Sequence, residues 1–142
     1  MTDQTSPQST TIVAGFTPSP EGWAAVRAAV GEARMRNGRI IVVHSIRGEN
    51  EEADDYISYR EALAEVEEYL TADGVPHEIH ELVRGRDPAD DILDVCNQTK
   101  ASLIVIGIRQ RSQIGKLLLG SNALAILHDA RCPVLAVKAD QA

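Results

Sequence analysis

Apolar residues in this chain gather into five short blocks, separated by polar stretches with helical spacing. The first block, Thr11-Ile12-Val13-Ala14-Gly15-Phe16, is apolar without alternation, as in a strand buried on both faces. Thr17-Pro18-Ser19-Pro20 ends it, since two prolines fix φ and remove two backbone donors. Ser19 is placed to cap a helix, with Pro20 at its first position and Glu21 in its first turn. That Ala-rich helix runs from Glu21 to about Arg36 and stops at Asn37-Gly38. Arg39 to Ile46 is a second continuous β-branched run. Tyr56, Tyr59, Leu63, Val66 and Leu70 then recur at helical spacing, predicting an amphipathic helix over 49–70 that Ala72-Asp73-Gly74-Val75-Pro76 ends. The pattern further predicts a strand over 75–83, a helix over 89–99 capped by Asp87, and a strand over 101–106. A helix over 121–130 and a strand over 132–138 complete it.

Strand and helix therefore alternate throughout. Continuous apolar strands joined by helical crossovers give an α/β fold, a parallel sheet with helices on both faces. At 142 residues there is room for one domain, read as 11–142 behind a disordered tail of residues 1–10. Only 4% of residues are aromatic, so the core must be aliphatic. A net charge of −7 argues against nucleic acid or an anionic membrane as partner. No run of about 18 apolar residues predicts a membrane span. Met1 to Thr10 lacks a basic flank and an apolar stretch, so no secretory signal is expected and the reading is cytoplasmic. Cys96 and Cys132 make neither a disulfide framework nor a metal spacing, and read as two reduced thiols. From Glu49 to Leu70 nine acidic residues face the single Arg60, which reads as a solvated helix face.

In an open parallel sheet, ligands sit beyond the carboxyl ends of the strands, where strand order reverses. Thr17-Pro18-Ser19, Ser45 to Gly48 and the segment from Gly107 onward hold those positions. The last stands out. Between Asp94 and Asp129 no residue is acidic, while Lys100, Arg109, Arg111 and Lys116 lie in the same stretch. An acid-free window beside a helix N-terminus suits an anion, and Gly107 and Gly120 would let backbone approach a phosphate. The Ser121 hydroxyl can bond a phosphate oxygen or cap its own helix. The alternative is a Gly-hinged surface loop whose cations balance the acidic helix. Lys116 precedes Gly120-Ser121, so this is no P-loop, and no G-x-G-x-x-G follows the first strand.

Histidines and thiols offer little chemistry. His77 and His80, three apart on a strand, point to opposite faces and cannot share an ion. His44, ending an apolar strand, reads as structural, and His128 and Asp129, adjacent on a helix, should face different directions. No nucleophile–base pair is visible.

Ile104-Val105-Ile106-Gly107, Lys116-Leu117-Leu118-Leu119-Gly120-Ser121 and Ala130-Arg131-Cys132-Pro133-Val134-Leu135-Ala136-Val137 together resemble the C-terminal signature of the universal stress protein family. Ile12-Val13-Ala14-Gly15, Ser19-Pro20-Glu21, Val42-Val43-His44 and Gly85-Arg86-Asp87-Pro88-Ala89 extend the resemblance over about Thr11 to Lys138. It implies a three-layer α/β/α sandwich of the adenine nucleotide alpha hydrolase-like type, with five parallel strands in the order 3-2-1-4-5. It also implies a homodimer through the last strand, 133–138. One branch of the family binds ATP or another adenine nucleotide, with or without Mg²⁺, through a motif written G-x2-G-x9-G-[ST] and an aspartate after the first strand.

Carried onto this chain, the phosphate side is Gly107, Gly120 and Ser121, with Asn122 following and Arg109 inside the motif. Ser45 borders adenosine. The second glycine of the motif is Gln110, while Thr17 holds the aspartate position with Pro18 where glycine is common. The resemblance implies a dimeric stress or energy sensor that binds an adenine nucleotide without efficient catalysis. A non-nucleotide module acting through contacts with an unknown protein partner is the alternative. A slow ATPase is the weakest reading, since no general base or metal-holding acid lies near the loop.

Overall fold

The computed structural model describes residues 10–46, 53–83, 85–109 and 119–139, with the side chains of 53–56 left aside. Nine elements alternate along these residues: β1 (Thr11–Gly15), α1 (Pro20–Arg36), β2 (Arg39–Ile46), α2 (Ala53–Ala72), β3 (His77–Val83), α3 (Pro88–Thr99), β4 (Leu103–Ile108), α4 (Ser121–Asp129) and β5 (Val134–Lys138). The strands form one parallel sheet in the order β3-β2-β1-β4-β5, so the fold class and the strand order are as expected. The tail reading concerns residues that lie outside those described, apart from Thr10, whose carbonyl accepts the Arg39 N–H at 2.8 Å.

Both faces of the sheet are covered, which is why its strands read as unbroken apolar runs. Ile12, Ala14, Ile40, Val42 and Val105 pack with Ala25, Val26 and Ala29 of α1 and with Val66 and Leu70 of α2. Val13, Ile41, Val43, Ile104 and Ile106 face the other way, against Ala89, Ile92 and Val95 of α3 and Ile126 of α4. These residues are almost entirely aliphatic and fully or nearly fully buried. Among the described residues no helix is long and apolar enough to cross a membrane.

Element ends differ from the sequence reading where proline or sheet register decides them. Cys132 and Pro133 precede β5, and Val75 and Pro76 precede β3, because proline has no N–H to give a ladder. Each proline still contributes its carbonyl: Pro76 accepts from Ile40 and Pro133 from Ile104, both at 3.0 Å. At the other end, β4 continues through Gly107 and Ile108, which pair with Val137 and Lys138. Gly107 is thus a strand residue and not the start of the loop.

The ends of α1 follow their local signals, and the start of α3 does so only in part. The Ser19 hydroxyl accepts the Gly22 N–H at 3.2 Å, and Asn37 closes α1 in the left-handed region at φ 53°. Asp87 occupies the N-cap of α3, yet its side chain makes no capping hydrogen bond; its carbonyl accepts from Asp90 at 3.0 Å.

At the amino end of β3, His77 makes a tertiary tie. Its Nε2 is 2.5 Å from Glu67 of α2 and its Nδ1 is 2.7 Å from the Val75 carbonyl. Two acceptors on one ring are both satisfied only by the imidazolium. Desolvation opposes that charge, but the Val75 carbonyl and Glu67 outweigh it and hold the His77 pKa above its ordinary value. Glu67 is correspondingly held below the usual carboxylate range by His77 and Thr71. A raised histidine stabilises the fold fully below its unfolded pKa, and a lowered carboxylate does so above its own. The tie should therefore be strongest between about pH 4.5 and 6.5. His77→Gln should lower the melting temperature in that window, and the difference from wild type should shrink by pH 9 in a pH series of melts. A difference that stays constant with pH would contradict the ionic tie. His80 bonds Glu78 at 3.0 Å instead. His128 and Asp129, contrary to the expectation that they diverge, are hydrogen-bonded at 2.7 Å.

Candidate functional site

The order β3-β2-β1-β4-β5 reverses direction at β1 and β4, and the carboxyl ends of β1, β2 and β4 open into two adjoining cavities there. One, of about 450 Å³, is lined by Thr17, Pro18, His44, Ser45, Ile46, Tyr59, Asp87, Pro88, Ser121 and Asn122. The other, of about 170 Å³, is lined among others by Phe16, Glu21, Val43, Ile92, Ile106, Gly107 and Ile126. Thr17, Ser45, Pro88 and Asn122 line both.

The turn after β1 is closed by its own hydrogen bonds. The Ser19 N–H donates to the Thr17 carbonyl at 2.8 Å, and the Thr17 and Ser19 hydroxyls share a hydrogen bond of 2.6 Å. Two missing side chains make room for this turn. A Cβ on Gly22 would collide with the carbonyl of Thr17, and one on Gly107 with the carbonyl of Glu21. Gly107 therefore admits the first turn of α1 against β4, a different reason for glycine from the phosphate approach expected of it. Gly120 is the opposite case: it is exposed, and a Cβ there would meet nothing within 4 Å.

Two helix N-termini converge on the larger cavity. The Asn122 Oδ1 accepts the Ala89 N–H at 3.2 Å, which ties the start of α4 to the start of α3. Gly120 and not Ser121 is the N-cap of α4, and no side chain caps that end. Its first turn contains no acidic residue, so its N–H groups and dipole are available to an anion. Ser121 is exposed at the first helical position.

The hydroxyl of Ser45, which lines both cavities, donates to the fully buried Asp91 carboxylate at 2.5 Å. Arg86 stands 3.7 Å from the same carboxylate and also bonds Asp94. These carboxylates, Asp94 first, raise the Arg86 pKa further, so the guanidinium stays charged at every working pH. The His44 ring lies edge-on between Phe16 and Tyr59, with centroids 6.3 and 4.8 Å away. Asp91, Glu21 and Tyr59 lie at the candidate site although the sequence reading passed them over, and so does His44, which it read as structural. Tyr59 was visible only as an apolar position of the acidic helix, and Asp91 only as one acid among many.

Of the residues expected at the site, Thr17, Pro18, Ser45, Gly107, Ser121 and Asn122 line the two cavities. Gly120 adjoins them as the α4 N-cap. Arg109 is half exposed, and its Nε donates to Glu21 at 3.1 Å, closing the rim between β4 and α1. Gln110 lies outside the described residues. Among those described, no group of three His, Cys, Asp or Glu side chains is placed to hold a metal ion.

In open parallel sheets, anions and nucleotides are commonly held at the switch point, against a helix N-terminus. The comparisons with known proteins agree with the sequence resemblance. Residues 9–138 match the universal stress protein family, and the chain belongs to it. It is 40% identical over 131 residues to a universal stress protein of Mycolicibacterium smegmatis, covering 89% of this chain and 96% of that one. A universal stress protein structure from Archaeoglobus fulgidus superposes with a TM-score of 0.79 at 37% identity, covering 93% of this chain and all of the other. A universal stress protein from the same organism, solved in complex with dAMP, gives a TM-score of 0.72 at 33% identity over 92% of this chain and 98% of that one.

Proposed function

We propose that the protein binds an adenine nucleotide in the crevice at the carboxyl ends of β1, β2 and β4, and acts as a cytoplasmic energy or stress sensor without efficient catalysis. The observation that carries this reading is the convergence of the uncapped, acid-free α4 N-terminus with the cavity lined by Thr17 and Ser45. Phosphate then lies against the N–H groups at Gly120, Ser121 and Asn122, and adenosine lies toward Ser45, His44 and Tyr59. The relative with dAMP bound supports the same ligand class. Mg²⁺ would enter on the phosphate oxygens, since no protein cage for it exists among the described residues.

The test is the melting temperature of protein unfolded and refolded to shed carried-over ligand, with and without ATP and Mg²⁺. At a ligand concentration 100 times Kd the fold gains about 2.7 kcal/mol, a shift of several degrees for this size. No shift at about 1 mM would place Kd near or above that concentration and leave the second reading. That reading, a module acting through protein contacts, is favoured by the Arg109–Glu21 pair, which engages the cation expected to meet phosphate.

The homodimer belongs to the same proposal. β5 is an edge of the sheet, with Ala136 exposed and Val134, Leu135 and Val137 half-buried, next to exposed Leu124 and Leu127 on α4. The opposite edge, β3, interleaves charged residues that discourage pairing. Ala136→Lys should convert the dimer to a monomer in sedimentation equilibrium with an unchanged circular dichroism spectrum. A wild-type chain that sediments as a monomer would remove this part of the proposal.

A further inference from the structure

Cys96 and Cys132 lie 36 positions apart in the chain, and the fold brings their Sγ atoms to 3.4 Å. Cys96 is in the last turn of α3, its carbonyl accepting the Lys100 and Ala101 N–H groups. Cys132 stands two residues before β5. Both are free thiols, and both pack in the core on the α3 and α4 side of the sheet.

Their surroundings differ in a way that gives them different chemistry. Cys96 is 3% exposed, whereas Cys132 is only partly buried. Burial, with Cys132 adding to it, pushes the Cys96 thiol up to about 12, so it stays protonated and inert toward an oxidant by itself. Sulfurs in contact need to close by only about 1.4 Å to reach bonding distance, a movement on the scale of a small side-chain rotation.

We propose that Cys96 and Cys132 form a dithiol modification site that a hydroperoxide converts to an intramolecular disulfide, stapling α3 to the foot of the edge strand β5. The Cys132 thiolate attacks the outer oxygen of the peroxide, the O–O bond breaks, and a sulfenic acid forms as the leaving oxygen departs as water or an alcohol. The Cys96 sulfur then attacks the sulfenic sulfur. The S–O bond breaks, and the departing hydroxide takes the Cys96 proton as water. Two thiols lose two electrons in total, and the peroxide bond gains them. The pair sits at the amino end of the sheet, away from the crevice, so this chemistry does not depend on nucleotide binding.

The experiment treats the reduced full-length protein with hydrogen peroxide, blocks remaining thiols with iodoacetamide, and maps the non-reduced tryptic peptides by mass spectrometry. The expected product is a single chain lighter by two hydrogens and not linked to another chain, with the Cys96 and Cys132 peptides joined and neither thiol alkylated until dithiothreitol is added. Its melting temperature should rise by roughly 5–10 °C and fall back on reduction. Cys96→Ser should leave Cys132 as a sulfenic acid that dimedone traps at one adduct per chain. Cys132→Ser should leave Cys96 reduced over the same time. Two alkylatable thiols after excess peroxide, or links found only between chains, would overturn the proposal on the wild-type protein alone. Oxidation of Cys96 in Cys132→Ser as fast as in wild type would overturn the assigned order of attack.

Discussion

Gly107→Ala should lower the melting temperature by roughly 10 °C, a large effect for one added methyl group. The reason is geometric. Gly107 is in β4, paired with Val137 in the ladder, and the carbonyl of Glu21 in the first turn of α1 occupies the space its Cβ would take. An added methyl in a packed core costs about 1–3 kcal/mol when side chains can move aside. Here the obstacle is backbone, held by the Ser19 cap and the Thr17 turn, so the cost should fall at the upper end. Either α1 lifts from β4 or β4 shifts away from β1. Both movements widen the floor of the crevice, so nucleotide affinity should fall with stability. Gly120→Ala is the control: nothing lies within 4 Å of its added carbon, and its φ of −70° suits any residue. A Gly107→Ala variant melting within about 2 °C of wild type would show that the close approach of α1 is not a constraint.

These two glycines also mark how far a single sequence can be read. Both were legible as glycines beside a helix start, and spacing alone assigned them one role. The distinction comes from α1 packing on β4, a contact between residues 21 and 107 that periodicity does not carry. Strand and helix order was legible because both sheet faces are covered, which leaves runs such as Arg39–Ile46 unbroken. Strand order came only from the family resemblance, since apolar blocks say where strands are and not which ones pair. Element ends slipped at Pro76 and Pro133, where a residue of strand-like composition lacks the donor that pairing needs. The site was legible where local chemistry announces it, in the Thr17 turn and the acid-free stretch before α4. It was not legible where partners are distant in the chain. Ser45 meets Asp91 across 46 positions, and Arg109 meets Glu21 across 88.

Gly120→Glu should weaken ATP binding by 100-fold or more, about 2.7 kcal/mol, while leaving the fold as stable as wild type. A carboxylate at a helix N-terminus is favourable in itself by about 0.3–1 kcal/mol, and Gly120 is exposed with open space around it. The mutation therefore has no structural reason to unfold the chain. Its effect falls on the ligand. The α4 N-terminus carries no acid in its first turn and no side-chain cap, so its N–H groups are available to phosphate. A glutamate there competes for those donors and adds a like charge. At about 4 Å and an effective dielectric near 20, each such pair of charges costs on the order of 4 kcal/mol before salt screening. The loss should be larger for ATP than for AMP, because two further phosphates share the repulsion. Titration calorimetry of both nucleotides against wild type, Gly120→Ala and Gly120→Glu separates steric from electrostatic causes. Gly120→Ala should bind within about threefold of wild type, as its added methyl carries no charge and meets nothing. Undiminished ATP affinity in Gly120→Glu would place the phosphates somewhere other than the α4 N-terminus, and would shift attention to the Thr17 turn and the Arg109 rim.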